Sequence, residues 1–188
     1  MHPDLPLVIR TDRLLLRPLD ERDVEALTRI YSDPEIHRFL GGSATVGRPA
    51  AWRQIAISLG HRQMRGYTML GIVDRASGDL IGRSGPWFPE GWPQLEVGWV
   101  VETARQGEGI ASEAGRASLR WCFDVLEAKS VCSLIREANE PSRAVARKLG
   151  AGLDRVLDEF YGEPAEVWLH RPATLTQGPG DEARFDDE

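Results

Sequence analysis

Apolar positions gather early in the chain, at Leu7, Val8 and Ile9 and again at Leu14, Leu15 and Leu16, and Pro18 stops them. This short apolar segment, 7–18, predicts a strand. Asp20 then precedes Glu21 and Asp23, with Val24, Leu27 and Ile30 at helical spacing, which reads as a helix with acids in its first turn. Pro34, after Ser32-Asp33, opens a second short helix that Gly41-Gly42 closes. Over 47–65, Trp52, Ile55, Ala56 and Leu59 mark the apolar face of a third. From Tyr67 the period shortens: runs at 67–73 and 80–87 predict two strands joined by the polar connection 74–79. A Pro/Gly/Trp-rich loop over 86–93 leads into another strand at 95–101. The clearest helix spans 107–126, where Ile110, Ala114, Ala117, Trp121 and Val125 share one face, and Ala111, Gly115 and their neighbours are small enough to lie close to a sheet. A strand at 129–136, a helix at 140–149 capped by Gly150, and strands at 151–160 and 166–170 complete the pattern.

That order, β-α-α-α-β-β-β-α-β-α-β-β, predicts an α+β (α/β/α) fold: a mixed, mostly antiparallel central sheet of about seven strands flanked by helices on both faces. Trp52, Trp121 and Trp168 read as core residues. No repeat or linker divides residues 1–173. The acidic tail, 174–188, has almost no large apolar residue and is expected to lack fixed structure.

Composition narrows the function classes. The 188 residues are 41% apolar and 28% charged, as in ordinary globular proteins. No apolar run approaches the ~18 residues of a membrane span, and the first residues carry no export signal, so a cytoplasmic location is expected. A formal net charge of −6 argues against a nucleic-acid partner and agrees with an amine-bearing one. Cys122 and Cys132 sit inside apolar segments at no metal-ligand spacing, so they read as buried thiols and no metal is expected. His37, His61 and His170 have no partner at a telling spacing.

The stretch from Trp99-Val100-Val101 through Gln106, Gly107, Glu108, Gly109, Ile110, Ala111 and Ser112 carries candidate chemistry. A strand runs through a glycine-bearing loop into a helix, whose first turn presents unpaired N–H groups and the positive end of the dipole. Such a turn can hold a pyrophosphate without a lysine; it can equally be a tight turn and nothing more. It is not a P-loop, since no GK[ST] follows, nor a dinucleotide fingerprint, since Ser112 stands where the third glycine would.

Gln106-Gly107-Glu108-Gly109-Ile110-Ala111 resembles the Q/R-x-x-G-x-G/A motif of the GNAT N-acetyltransferases. The segments 11–18, Glu96-Val97-Gly98-Trp99, Asn139-Glu140-Pro141-Ser142 and Lys148-Leu149-Gly150 are similar to the branch that includes the ribosomal-protein alanine N-acetyltransferases. The likeness spans residues 7–171. It implies a monomer or homodimer that transfers acetyl from acetyl-CoA to a primary amine, either a protein N-terminus or a small molecule; the other reading is a non-catalytic module that binds or senses CoA.

Carried over by position, the resemblance puts the pantetheine arm along Trp99, Val100 and Val101 and the pyrophosphate on residues 106–112. Asn139 becomes a cofactor contact, and Arg143 is either a phosphate ligand or a solvated surface charge. Glu96, within an apolar strand, is the candidate base, because desolvation would raise its carboxyl toward a useful range; alternatively it pairs with an arginine. The family's tyrosine acid falls on Ala146, so Ser142 is the substitute donor, unless it only caps its helix, and Tyr161 is another. Trp87, Phe88 and Trp92 either line the acceptor cleft or cap the core.

Overall fold

The computed structural model describes residues 5–40 and 47–186. Among these residues nine strands form one sheet: β1 (Val8–Arg10), β2 (Leu14–Arg17), β3 (Leu70–Asp74), β4 (Leu80–Trp87), β5 (Glu96–Val101), β6 (Val131–Ile135), β7 (Gly152–Phe160), β8 (Glu163–His170) and β9 (Arg184–Asp186). Their spatial order is β7-β8-β6-β5-β4-β3-β2-β1-β9. Every neighbouring pair is antiparallel except β5 and β6. The helices are α1 (Val24–Tyr31), α2 (Pro34–His37), α3 (Arg48–Arg65), α4 (Ile110–Asp124) and α5 (Glu140–Lys148).

Strand alternation divides the core into two layers. Ile72 and Ile81 pack in a cluster with Ile110, Ala114, Ala117 and Trp121 of α4. Their chain neighbours Val73 and Leu80 belong to a second cluster with Leu27, Ile30 and Tyr31 of α1 and Ile55 of α3. Adjacent strand residues point to opposite faces, so α4 covers one side of the sheet and α1 and α3 the other. Gly115 sets how near α4 can come: a Cβ there would meet Leu149 Cδ1 at 3.0 Å and Trp99 Cε3 at 3.2 Å. Trp121 is fully buried and its Nε1 donates to the Pro6 carbonyl.

Four sequence expectations change. The single strand at 7–18 is a hairpin: Thr11 N–H donates to the Leu14 carbonyl across the turn, and Ile9 lies opposite Leu16. The face of α3 is rotated by about one residue, with Ala51, Ile55, Ser58 and His61 buried while Trp52 and Leu59 are exposed. Trp52 is therefore not core, whereas Trp121 and Trp168 are. The glycine pair assigned to close α2, Gly41-Gly42, lies outside the described residues.

The fourth change is the tail. Residues 174–186, expected to be without structure, run back over α4 and end as β9 against β1, with Ile9 opposite Phe185. A buried arginine accounts for this. Arg116, on the outer side of α4, is only 2% exposed, and its Nε and Nη1 donate to the Thr176 and Pro179 carbonyls at 2.9 Å each. Its Nη2 reaches Thr176 Oγ1 at 3.1 Å. Leu175, Ala183 and Phe185 add apolar contacts to the core, but the polar acceptors offered to Arg116 are not revealed by a pattern of hydrophobic positions. Among the described residues no helix is long and apolar enough to cross a membrane.

Candidate active site

The parallel pair β5 and β6 is in register at one point, Glu96 opposite Cys132. Beyond it the strands part, while β5 stays fully paired with β4 on its other edge, from Gly82 opposite Val101 to Trp87 opposite Glu96. The edge of Trp99–Val101 that faces β6 is thus left without a ladder partner. Buried backbone groups need partners, so a gap of this kind suits an extended, amide-bearing ligand. Ser133 Oγ donates to the Val97 carbonyl at 2.7 Å and fixes the apex of the split. The Trp99 ring packs on Gly115 of α4 and against the cluster of Ile135, Ala146 and Trp168.

After β5 a short 3-10 turn (Thr103–Arg105) leads to Gly107 and Gly109, both at positive φ (83° and 80°), and α4 begins at Ile110. Only glycine adopts this backbone without strain. A Cβ on Gly107 would meet nothing within 4 Å, so that side of the loop is open. The loop is braced from behind. Gln106 Nε2 donates to the Val101 carbonyl (3.1 Å), Arg13 Nη1 to the Glu108 carbonyl (3.1 Å), and Arg105 joins Glu108 to Asp74. Ile110 is buried in the core, Ala111 is partly buried, and Ser112 is buried with its carbonyl facing Arg116. What remains outward is backbone N–H at a helix start, with the positive dipole end behind it.

One residue that the sequence did not mark underlies this loop. Glu113, 1% exposed, accepts from Thr11 Oγ1 (2.5 Å) and Arg13 Nε (2.7 Å), so the β1–β2 turn is bolted to the first turn of α4. The contact spans about a hundred positions along the chain, and local spacing cannot show it.

The strand split opens into a cleft of about 670 Å³. Gly98, Trp99, Val100, Asn139 and Ser142 lie on its walls together with Glu96, Trp87 and Trp92. Asn139 caps α5, its Oδ1 accepting from Ser142 N–H at 3.2 Å. Capping therefore belongs to Asn139, and among the described residues the Ser142 hydroxyl makes no hydrogen bond. Ala146, in the position of the family tyrosine, is wholly buried. Arg143 is held elsewhere: its Nη1 lies 2.9 Å from Glu140 and its Nε 3.1 Å from Glu166 as an ion pair.

Glu96 faces the cleft with Oε2 accepting from Trp92 Nε1 at 2.5 Å. Burial pushes its carboxyl above the ordinary range; the bond from Trp92, a backbone N–H at Leu134 and the charge of Arg83 pull partly the other way. Trp92 meets Phe160 and Tyr161 at ring-centroid separations of 5.0 and 5.5 Å, so the tip of the β7–β8 hairpin closes the cleft. Trp87 stacks on His61 at 4.3 Å. Phe88 takes the core reading, its side chain packing against the main apolar cluster, and of the three aromatics only Trp87 and Trp92 line the cleft. His61 is structural, with Nδ1–H donating to the Tyr67 carbonyl and Nε2 accepting from Phe88 N–H. His170 is buried against Ser133, and desolvation lowers its imidazole to about 4.

Comparison with known proteins places these features in a family context. The family model described as an acetyltransferase (GNAT) domain matches residues 13–152. The Bacillus subtilis (strain 168) protein YkkB is 27% identical over 163 residues, covering 84% of this chain and 92% of its own. Among solved structures, an acetyltransferase from Agrobacterium tumefaciens str. C58 is 28% identical with a TM-score of 0.78, over 91% of this chain and 97% of its own. Mycobacterium smegmatis RimJ in complex with CoA-disulfide shares the fold at a TM-score of 0.72 and 23% identity, covering 95% and 93% of the two chains.

Proposed function

The chain belongs to the GNAT acetyltransferase family, and from that premise we propose that it transfers acetyl from acetyl-CoA directly to a primary amine held beside Glu96. The observation that carries this reading is the split between β5 and β6, with the glycine loop following the end of β5 and a raised carboxyl in the cleft at the apex. The residues present fit acetyl-CoA. The free edge of Trp99–Val101 offers amides to the pantetheine arm, and the N–H groups of residues 107–112 offer donors to the pyrophosphate. A CoA-bound relative of the same fold supports the choice of ligand. The thioester supplies an activated acetyl group whose C–S bond breaks as the new N–C bond forms.

The protein's own contributions follow from position. An amine attacks only when neutral, so Glu96, as carboxylate, takes its proton directly or through one water. Holding amine and thioester together in the cleft removes much of the entropy cost. Backbone N–H groups near Val97–Trp99 polarise the acetyl carbonyl. Ser142, with its hydroxyl uncommitted at the cleft wall, returns a proton to the departing thiolate in place of the missing tyrosine. Arg143 is assigned no phosphate, because two carboxylates already hold it.

Thiol release from acetyl-CoA against a panel of small amines and peptides tests this. Turnover with an acceptor, giving the N-acetyl product by mass, is expected. Tight binding of acetyl-CoA with no product across the panel would favour a CoA-binding module instead.

A further inference from the structure

The acceptor half of the cleft contains a guanidinium with no carboxylate in contact with it, although the charge of Glu96 acts on it from across the cleft. Arg83, on β4 opposite Val100, lines the cleft, yet among the described residues its guanidinium makes no hydrogen bond and no ion pair. Other sheltered arginines are served: Arg17 by Asp23, Arg105 by Asp74, Arg116 by the tail. Among the described residues, the ring packed against Arg83 is that of Tyr31, whose centroid lies 5.2 Å from Cζ. Tyr31 projects from α1 into the same cleft, 8% exposed, and its hydroxyl has no partner either. Burial raises the phenol, so it stays an O–H donor.

An unpaired guanidinium and an unpaired buried hydroxyl are each unfavourable in a site shielded from water. Both are donors, so what completes them is an anion with acceptor oxygens. A planar carboxylate matches the guanidinium fork and leaves lone pairs for the phenol. A dianionic phosphate brings more acceptor oxygens than one guanidinium and one hydroxyl can serve, and the cleft lining mixes Glu90 and Glu96 with Arg53 and Arg136. The remaining walls are largely apolar, with Trp87, Trp92, Phe160 and Ile57 among them. We propose that Arg83 and Tyr31 form a carboxylate subsite, so that the acceptor is a primary amine that also carries a carboxylate on an apolar body. This specifies the acceptor class and rests on the amine-transfer reading above.

Matched acceptors test it: leucine and phenylalanine against leucinamide and phenylalaninamide, and peptides with aspartate against asparagine at the second residue. The amides hold the more readily deprotonated amine, so amine basicity alone favours them. The expected result is a kcat/KM at least about tenfold higher for the carboxylate member of one set, as charge-assisted bonding allows. Preference in the first set identifies a free amino acid, and in the second an acidic peptide. Arg83→Gln should bring the ratio close to one, mainly through KM, with Arg83→Lys retaining part of it and Tyr31→Phe reducing it about threefold. The melting temperature of Arg83→Gln should hold or rise, because a guanidinium with neither a hydrogen bond nor an ion-pair contact is removed; a purely structural arginine would give a fall. A wild-type ratio of one or less in both sets overturns the subsite while leaving amine transfer intact. If nothing is acetylated, transfer fails first, and calorimetry of the same acids on the CoA-loaded protein decides the subsite: Arg83-dependent heat upholds it, and no heat overturns it.

Discussion

Replacing Arg116 with methionine should loosen the C-terminal segment and lower stability far beyond an average substitution. The guanidinium supplies donors to the Thr176 and Pro179 carbonyls at 2.9 Å and to Thr176 Oγ1 at 3.1 Å, with Asp181 at 3.8 Å. Methionine fills similar volume but donates nothing. If the tail stayed in place, two carbonyls would lose buried partners at about 1–3 kcal/mol each. If it peeled away, they would be hydrated, but the Arg120–Asp181 contact and the β9 pairing would be lost with it. Some of this is offset because no guanidinium need then be desolvated, and desolvation is already the main influence lowering its pKa. A net loss of about 2–4 kcal/mol follows. For a chain of this length about 1 kcal/mol moves the melting point by ~2–4 °C, so calorimetry should record a fall of roughly 5–15 °C. Limited proteolysis should cut within 174–186 in the variant well before it does in the wild type. A melting point within a degree of wild type, with the tail equally resistant, would refute the anchoring role of Arg116.

Glu96→Gln should lower kcat by about a hundredfold, the lower end for a positioned base. Because burial raises the Glu96 carboxyl, the wild-type rate should fall as pH drops through that raised value, and this acid limb should vanish in the variant. The same shift makes the folded protein relatively more stable with Glu96 protonated, so stability from this residue declines as pH rises through its folded pKa and not in the glutamine variant. Ser142→Ala should depress kcat by about tenfold or more with acetyl-CoA affinity unchanged, since its hydroxyl is free and Asn139 does the capping; equal rates would remove the acid. Gly109→Ala, at φ 80°, should weaken acetyl-CoA about fivefold, as read by tryptophan fluorescence, from ~1 kcal/mol of left-handed strain.

Much of the site is legible along the chain because it is local. The run from Trp99 to Ser112 contains its own strand, glycines and helix start, and the structure forms them in that order, with the helix beginning at Ile110, three residues beyond the expected 107, because both glycines stay in the loop at positive φ. Elements read from periodicity also hold where one face dominates, as in α4. Three things escape. The rotated face of α3 arises because Trp52 and Leu59 look apolar yet lie on the side that no strand covers, while His61 is buried by two specific hydrogen bonds. The tail is held through Arg116 by backbone carbonyls, and carbonyls have no sequence identity. Arg83, Tyr31, Phe160 and Tyr161 reach one cleft from β4, from α1 and from a hairpin tip, so only the tertiary arrangement brings them together.

Isothermal titration of the folded protein with acetyl-CoA, in buffer free of amine acceptors, bears most directly on the split sheet and its glycine loop. Saturable heat at one molecule per chain is expected, weakened in parallel by Gly109→Ala. The absence of heat with both acetyl-CoA and free CoA would contradict the assignment of the cleft, and the roles given to Glu96, Ser142 and Arg83 would fall with it.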